Sequence, residues 1–200
     1  MVAFNECDFD LAAARLTEHL ANARKLGGSK PIGGALTKLG TVLQNTGDPE
    51  RGAQLHAEAL VLAEQVGDRR LACVALTNLG LAALTRKDCP VARAFYARGL
   101  EHAEAIGERR SIAECLEEMA GADAAAGLER RAAVLFGASQ AMREALGSPV
   151  LGPDLARIEQ AVAAVRLALG DEPFAAAERR GRAMAEAEAI AFARSDPDHP

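Results

Sequence analysis

The hexapeptide Ala35-Leu36-Thr37-Lys38-Leu39-Gly40 returns as Ala75-Leu76-Thr77-Asn78-Leu79-Gly80, displaced by 40 residues. A further step of 40 lands on Cys115-Leu116-Glu117-Glu118-Met119-Ala120, a degenerate copy. Punctuation follows the same step. Gly27, Gly67, Gly107 and Gly147 mark one set of turns, and Gly47-Asp48, Lys87-Asp88 and Gly127-Leu128 mark a second set halfway between. A fixed period of this length is the mark of a repeat architecture, and each glycine stands where a helix is expected to stop in the left-handed conformation.

Two helical stretches fit between successive turns of one kind. The first stretch of the second repeat carries Leu76, Leu79, Gly80 and Ala83 at helical spacing, and the second carries Val91, Ala92, Phe95, Tyr96, Gly99 and Leu100. A connection of two to four residues makes such helices antiparallel neighbours. Small residues at Gly40, Gly80, Gly52 and Ala92 admit close approach, while His56, Tyr96 and Phe136 occupy the bulky position of the three second helices. Composition agrees. Aromatic residues are 4% of the chain, with no Trp, and Ala, Leu, Glu and Arg dominate, so helix formers outweigh strand formers.

The order Leu79-Gly80, Ala92, Tyr96, Gly99 resembles the tetratricopeptide consensus of Leu-Gly, Ala, an aromatic and a small residue. One consensus position varies: the large apolar residue three places after the glycine is Leu43 in the first repeat, Ala83 in the second and Asp123 in the third. The resemblance implies an all-α, right-handed superhelical solenoid of antiparallel helix pairs. The expected layout is an orphan helix at 8–26, pairs at 31–66, 70–106 and 110–146, capping helices across 148–194 and a frayed tail at 195–200. A repeat array that opens on half a repeat exposes an apolar face, so the chain is expected to be the C-terminal piece of a longer protein. The alternative is that residues 8–26 pack on a second copy as a homodimer.

The last third carries a second resemblance. Leu135-Phe136-Gly137-Ala138, Met142-Arg143-Glu144-Ala145-Leu146-Gly147, Ala168-Leu169-Gly170-Asp171-Glu172-Pro173-Phe174 and Gly181-Arg182-Ala183-Met184 are similar to the C-terminal ends of bacterial regulators that join a STAND-type ATPase module to tetratricopeptide-like helices. The similarity spans 130–193. Two departures stand out: Glu178 where an aromatic is usual, and Ala185 where Ser or Thr would cap the last helix. The resemblance implies the sensor or scaffold arm of a transcriptional regulator. It carries no ATPase activity with it, because no G-x-x-x-x-G-K-[ST] loop is present and Gly27-Gly28-Ser29-Lys30 has the wrong spacing.

Chemistry is sparse elsewhere. A net charge of −5 argues against direct nucleic-acid binding, which calls for a basic face. No apolar run reaches the length of a membrane span. Cys7, Cys73, Cys89 and Cys115 lack C-x-x-C spacing, and a cytoplasmic location with reduced thiols is expected. His19, His56, His102 and His199 lie far apart, and Ser139 sits outside a G-x-S-x-G elbow. No enzyme, cofactor or metal is expected. The expected working surface is the concave strip of first helices: Thr37, Thr41, Gln44 and Asn45, then Val74, Thr77, Asn78, Leu81, Leu84 and Thr85, then Glu114, Glu117 and Glu118 as an exposed acidic end. A protein or peptide partner with apolar anchors and a basic end would suit it. A deep pocket against the capping helices, lined by Phe174, Met184 and Phe192, would instead indicate a small-molecule sensor.

Overall fold

A computed structural model describes residues 6–150 and 152–196. Ten α-helices and no strand make up the described residues. Of the expected tail, residues 197–200 lie outside the described residues. The chain divides between Ala82 and Ala83 into two compact units. The first holds α1 (Glu6–Leu26), α2 (Ser29–Asn45), α3 (Pro49–Val66) and most of α4 (Arg69–Thr85). The second holds the end of α4, then α5 (Cys89–Ala105), α6 (Arg109–Ala125), α7 (Glu129–Leu146), α8 (Pro153–Leu169), α9 (Asp171–Arg182) and α10 (Glu186–Arg194).

Helix boundaries fall where local chemistry puts them. Asp48 and Asp88 accept the backbone N–H of Arg51 at 3.1 Å and of Val91 at 3.3 Å, and Asp68 accepts that of Leu71 at 3.0 Å. Each such cap satisfies a donor that the first helical turn leaves free. The third repeat has Leu128 at this place and makes no side-chain cap. Gly67 and Gly147 end α3 and α7 with φ of 68° and 59°, as the repeat of glycines predicts. Lys87 adopts the same hand, φ 62°, at the register position filled by Gly47 and Gly127 in the other repeats.

In the first unit, α2 and α3 pack through their small residues. A Cβ on Gly40 would stand 2.7 Å from Nε2 of His56, and one on Gly52 would stand 2.7 Å from the Gly40 carbonyl. His56 is fully buried in the bulky position, with both ring nitrogens unpartnered among the described residues. Burial lowers its pKa to about 4, so the ring is neutral near pH 7. The α1 helix rests on α2 through Leu20 and Ala23, while Leu11 and Leu26 stay exposed.

In the second unit, Tyr96 and Phe136 fill the bulky position, and Cys115 is a small core residue. The α9 helix packs on α7 backbone to backbone. A Cβ on Gly181 would overlap the Val134 carbonyl, and one on Gly137 would overlap the Glu178 carbonyl. The departure at Glu178 therefore falls on a seam where its main chain makes the contact. The α8 helix bridges α7 and α9 but buries only Val165 among its described side chains. Ala185 begins α10 without a side-chain cap.

Candidate functional site

In the first unit the strip residues separate into two layers. Thr37 and Thr77 are buried, and their hydroxyls donate to the carbonyls of Gly33 at 3.1 Å and Cys73 at 3.0 Å. They belong to the core, which is a correction to their expected place on the surface: a hydroxyl returned to its own helix can be buried at little cost. Thr41, Asn45 and Val74 are exposed, whereas Gln44, Asn78 and Leu81 are half-buried. The Gln44 amide donates to the Asn78 carbonyl at 3.1 Å and so ties α2 to α4. Asn45 and Asn78 each donate to a carbonyl one turn back on their own helix, and the Asn78 amide oxygen accepts from the Thr41 hydroxyl at 3.4 Å. Of the expected strip in this unit, what stays open is thus a polar patch around Val74, which is 41% exposed.

In the second unit Leu84 is half-buried and Thr85 exposed. The acidic end differs from the expectation of an exposed face. Glu117 and Glu118 are buried and held in ion pairs. Arg143 of α7 donates to both oxygens of Glu117, at 2.9 and 3.0 Å, and Ser139 adds a hydrogen bond at 3.2 Å. Arg157 of α8 grips both oxygens of Glu118. Burial pushes the Glu118 carboxyl up, Arg157 opposes that push, and the attraction between them keeps the guanidinium firmly charged. Glu114 alone keeps an open surface. Its carboxyl is raised by crowding protein and then by the neighbouring Glu118. Two of the three carboxylates are thus already neutralised and are not free to meet a basic partner.

Asp123, at the position of Leu43 in the repeat, is fully buried. It pairs with Arg93 of α5 and accepts from Arg131 of α7 at 3.0 Å. Arg131 also donates to the carbonyls of Phe192 and Ala193, each at 2.7 Å, and of Ser195 at 3.1 Å. Its guanidinium lies over the Phe192 ring, 4.8 Å from the centroid. Arg131 thus helps to cap the C-terminal end of α10, where the Phe192 carbonyl also accepts from the Ser195 N–H at 3.2 Å. A charged residue at an apolar repeat position was the available sign of this network.

A cavity of about 720 Å³ opens between α7, α8 and α9. Phe136, Phe174, Leu155, Ile158 and Val162 form its apolar walls, and the 147–150 turn closes one side. The bound pair Glu117–Arg143 lies in its wall. Phe174 lines it as expected, but Met184 and Phe192 do not: Phe192 is covered by Arg131 and Arg180 instead.

The α2–α3 pair has the small-to-large complementarity of a helical repeat, with Gly40 and Gly52 against His56 and the facing backbone. Residues 31–105 match the tetratricopeptide repeat family. The tetratricopeptide match coincides with four helices, α2 to α5. Repeats of this kind serve in general as protein-binding surfaces. No curated protein matches the chain. No helix among the described residues is long and apolar enough to cross a membrane.

Proposed function

We propose that this chain is a protein-binding repeat module and that it forms the sensor or scaffold arm of a bacterial transcriptional regulator. The tetratricopeptide match over α2–α5 carries the first half of this reading. The patch of Thr41, Asn45, Asn78 and Val74 supplies a surface of the needed kind, apolar at its centre and hydrogen-bonding at its edge. The likeness of 130–193 to the ends of STAND-type regulators supports the second half. Site-specific photocrosslinking tests the surface. A crosslinker at Val74 should capture a partner, one at exposed Glu50 should not, and Val74→Arg should abolish capture. Equal capture at both positions overturns the assignment. The genomic reading frame upstream of Met1 tests the regulator arm: an ATPase module fused in frame supports it, and an intervening stop codon overturns it. A mass twice the monomer in sedimentation, lost in Leu11→Glu, would favour an oligomerisation scaffold built on residues 8–26.

A second reading has its own observation. The cavity at α7–α9 supports an arm that receives a small molecule, whether or not it also holds a protein.

A further inference from the structure

The cavity lies beside a close seam. Gly137 and Gly181 let α9 sit backbone to backbone on α7. The α8 helix lies over this pair, and only Val165 is buried along its described length. Leu155, Ile158 and Val162 face the gap that remains. Apolar walls around open space are costly in water, and a cleft of about 720 Å³ lies within the range of small-molecule sites. A protein helix fits poorly. Its cylinder is 10–12 Å across with side chains, or roughly 500 Å³ per turn, so the cavity would hold little more than one turn.

Charge narrows the class further. The buried ionic group in the wall, Glu117, is bound by Arg143 on both oxygens. Glu144 is held by Arg182 at 2.5 and 3.1 Å. Arg166 lies on the Phe174 ring, 4.6 Å from the centroid, and shares the rim with Glu144, Glu159 and Glu178. An anion would meet more carboxylates than guanidinia there. A cation would give up its water with no buried carboxylate left to receive it, a penalty that only a matched partner offsets. Resting on the small-molecule reading and deepening it, we propose that the cavity binds an uncharged, largely apolar small molecule, seated against Phe174 beneath α8.

The test uses the full chain and N-phenyl-1-naphthylamine, a neutral apolar fluorophore. Saturable one-to-one binding is expected. Competition by three ligands of equal chain length, 1-decanol, decanoate and decylamine, then reads the charge preference. Decanol should displace the probe better than either ion by roughly tenfold or more. Ala163→Trp, which fills the gap from α8, should abolish binding, while Leu167→Gln, at an 87% exposed position of α8 outside the cavity lining, should preserve it. A diazirine-bearing alkanol, mapped by mass spectrometry on the unaltered chain, should label α8 and α9, which keeps the test independent of how well Ala163→Trp folds. No saturable binding, or labelling elsewhere, overturns the small-molecule reading as well. Preferential displacement by decanoate or decylamine leaves that reading standing and overturns the uncharged class.

Discussion

Arg131 donates from Nε to Oδ2 of Asp123 at 3.0 Å, and both side chains are buried between α6 and α7. Removing the acid strands the guanidinium in a place it cannot leave. Asp123→Ala should cost about 3 kcal/mol or more, because an uncompensated buried charge is worse than no pair at all. Urea denaturation at neutral pH measures this. Hydrogen exchange should show α10 losing protection as well, since the same Arg131 holds its last carbonyls.

His56 makes stability depend on pH in a defined window. The unfolded chain takes up the imidazole proton near 6.5 and the folded chain only near 4. Between those values the unfolded state binds more protons, so stability falls as the pH drops through the window. The loss from this group reaches about 3 kcal/mol below pH 4. His56→Phe removes the titrating group while keeping a ring against Gly40. The variant should show a flatter stability profile between pH 6.5 and 4 in parallel urea titrations.

The α7–α9 seam tolerates no side chain. Gly181→Ala places a methyl on the Val134 carbonyl, where backbone rather than a flexible side chain must yield. A destabilisation of about 1–3 kcal/mol is expected, as for other overpacked contacts. The melting temperature reports it, and probe binding in the neighbouring cavity should weaken in the same variant.

Lys87 is the one non-glycine residue with positive φ among those described. Lys87→Gly should stabilise the chain by about 1 kcal/mol by relieving the left-handed strain. Gly47→Ala, at the same register position with φ 99°, should do the reverse. The pair of melting curves gives opposite shifts.

Helix ends were legible because their signals are local. Asp48, Asp88 and the glycines at 67 and 147 act within a turn of where they stand. The burial of Glu117 and Glu118 was not legible, because what buries them comes from far along the chain. Arg143 lies 26 residues on, and Arg157 lies 39 residues on in an off-period helix. A run of carboxylates reads as a solvated face until those arginines are placed. Asp123 was nearer to being readable: an acid in the register of Leu43 needs a cation, and Arg131 follows 8 residues later. The seam beside the cavity rests on Gly137 and Gly181, 44 residues apart, each facing the other helix's backbone, a relationship that no local pattern encodes.

Positive-φ glycines flank α8 on both sides, Gly147 and Gly152 before it and Gly170 after it. The segment is a drawbridge between two fixed towers. Swinging it away while the α7–α9 clamp stays shut would uncover Val165 and break the Arg157–Glu118 pair, a smaller disruption than opening the core. Entry to the chamber beneath by that route would need a local opening that parts this ion pair and leaves the rest of the unit folded. Amides of α8 should exchange sooner than those of α7 or α9, and an occupant of the chamber should slow them selectively.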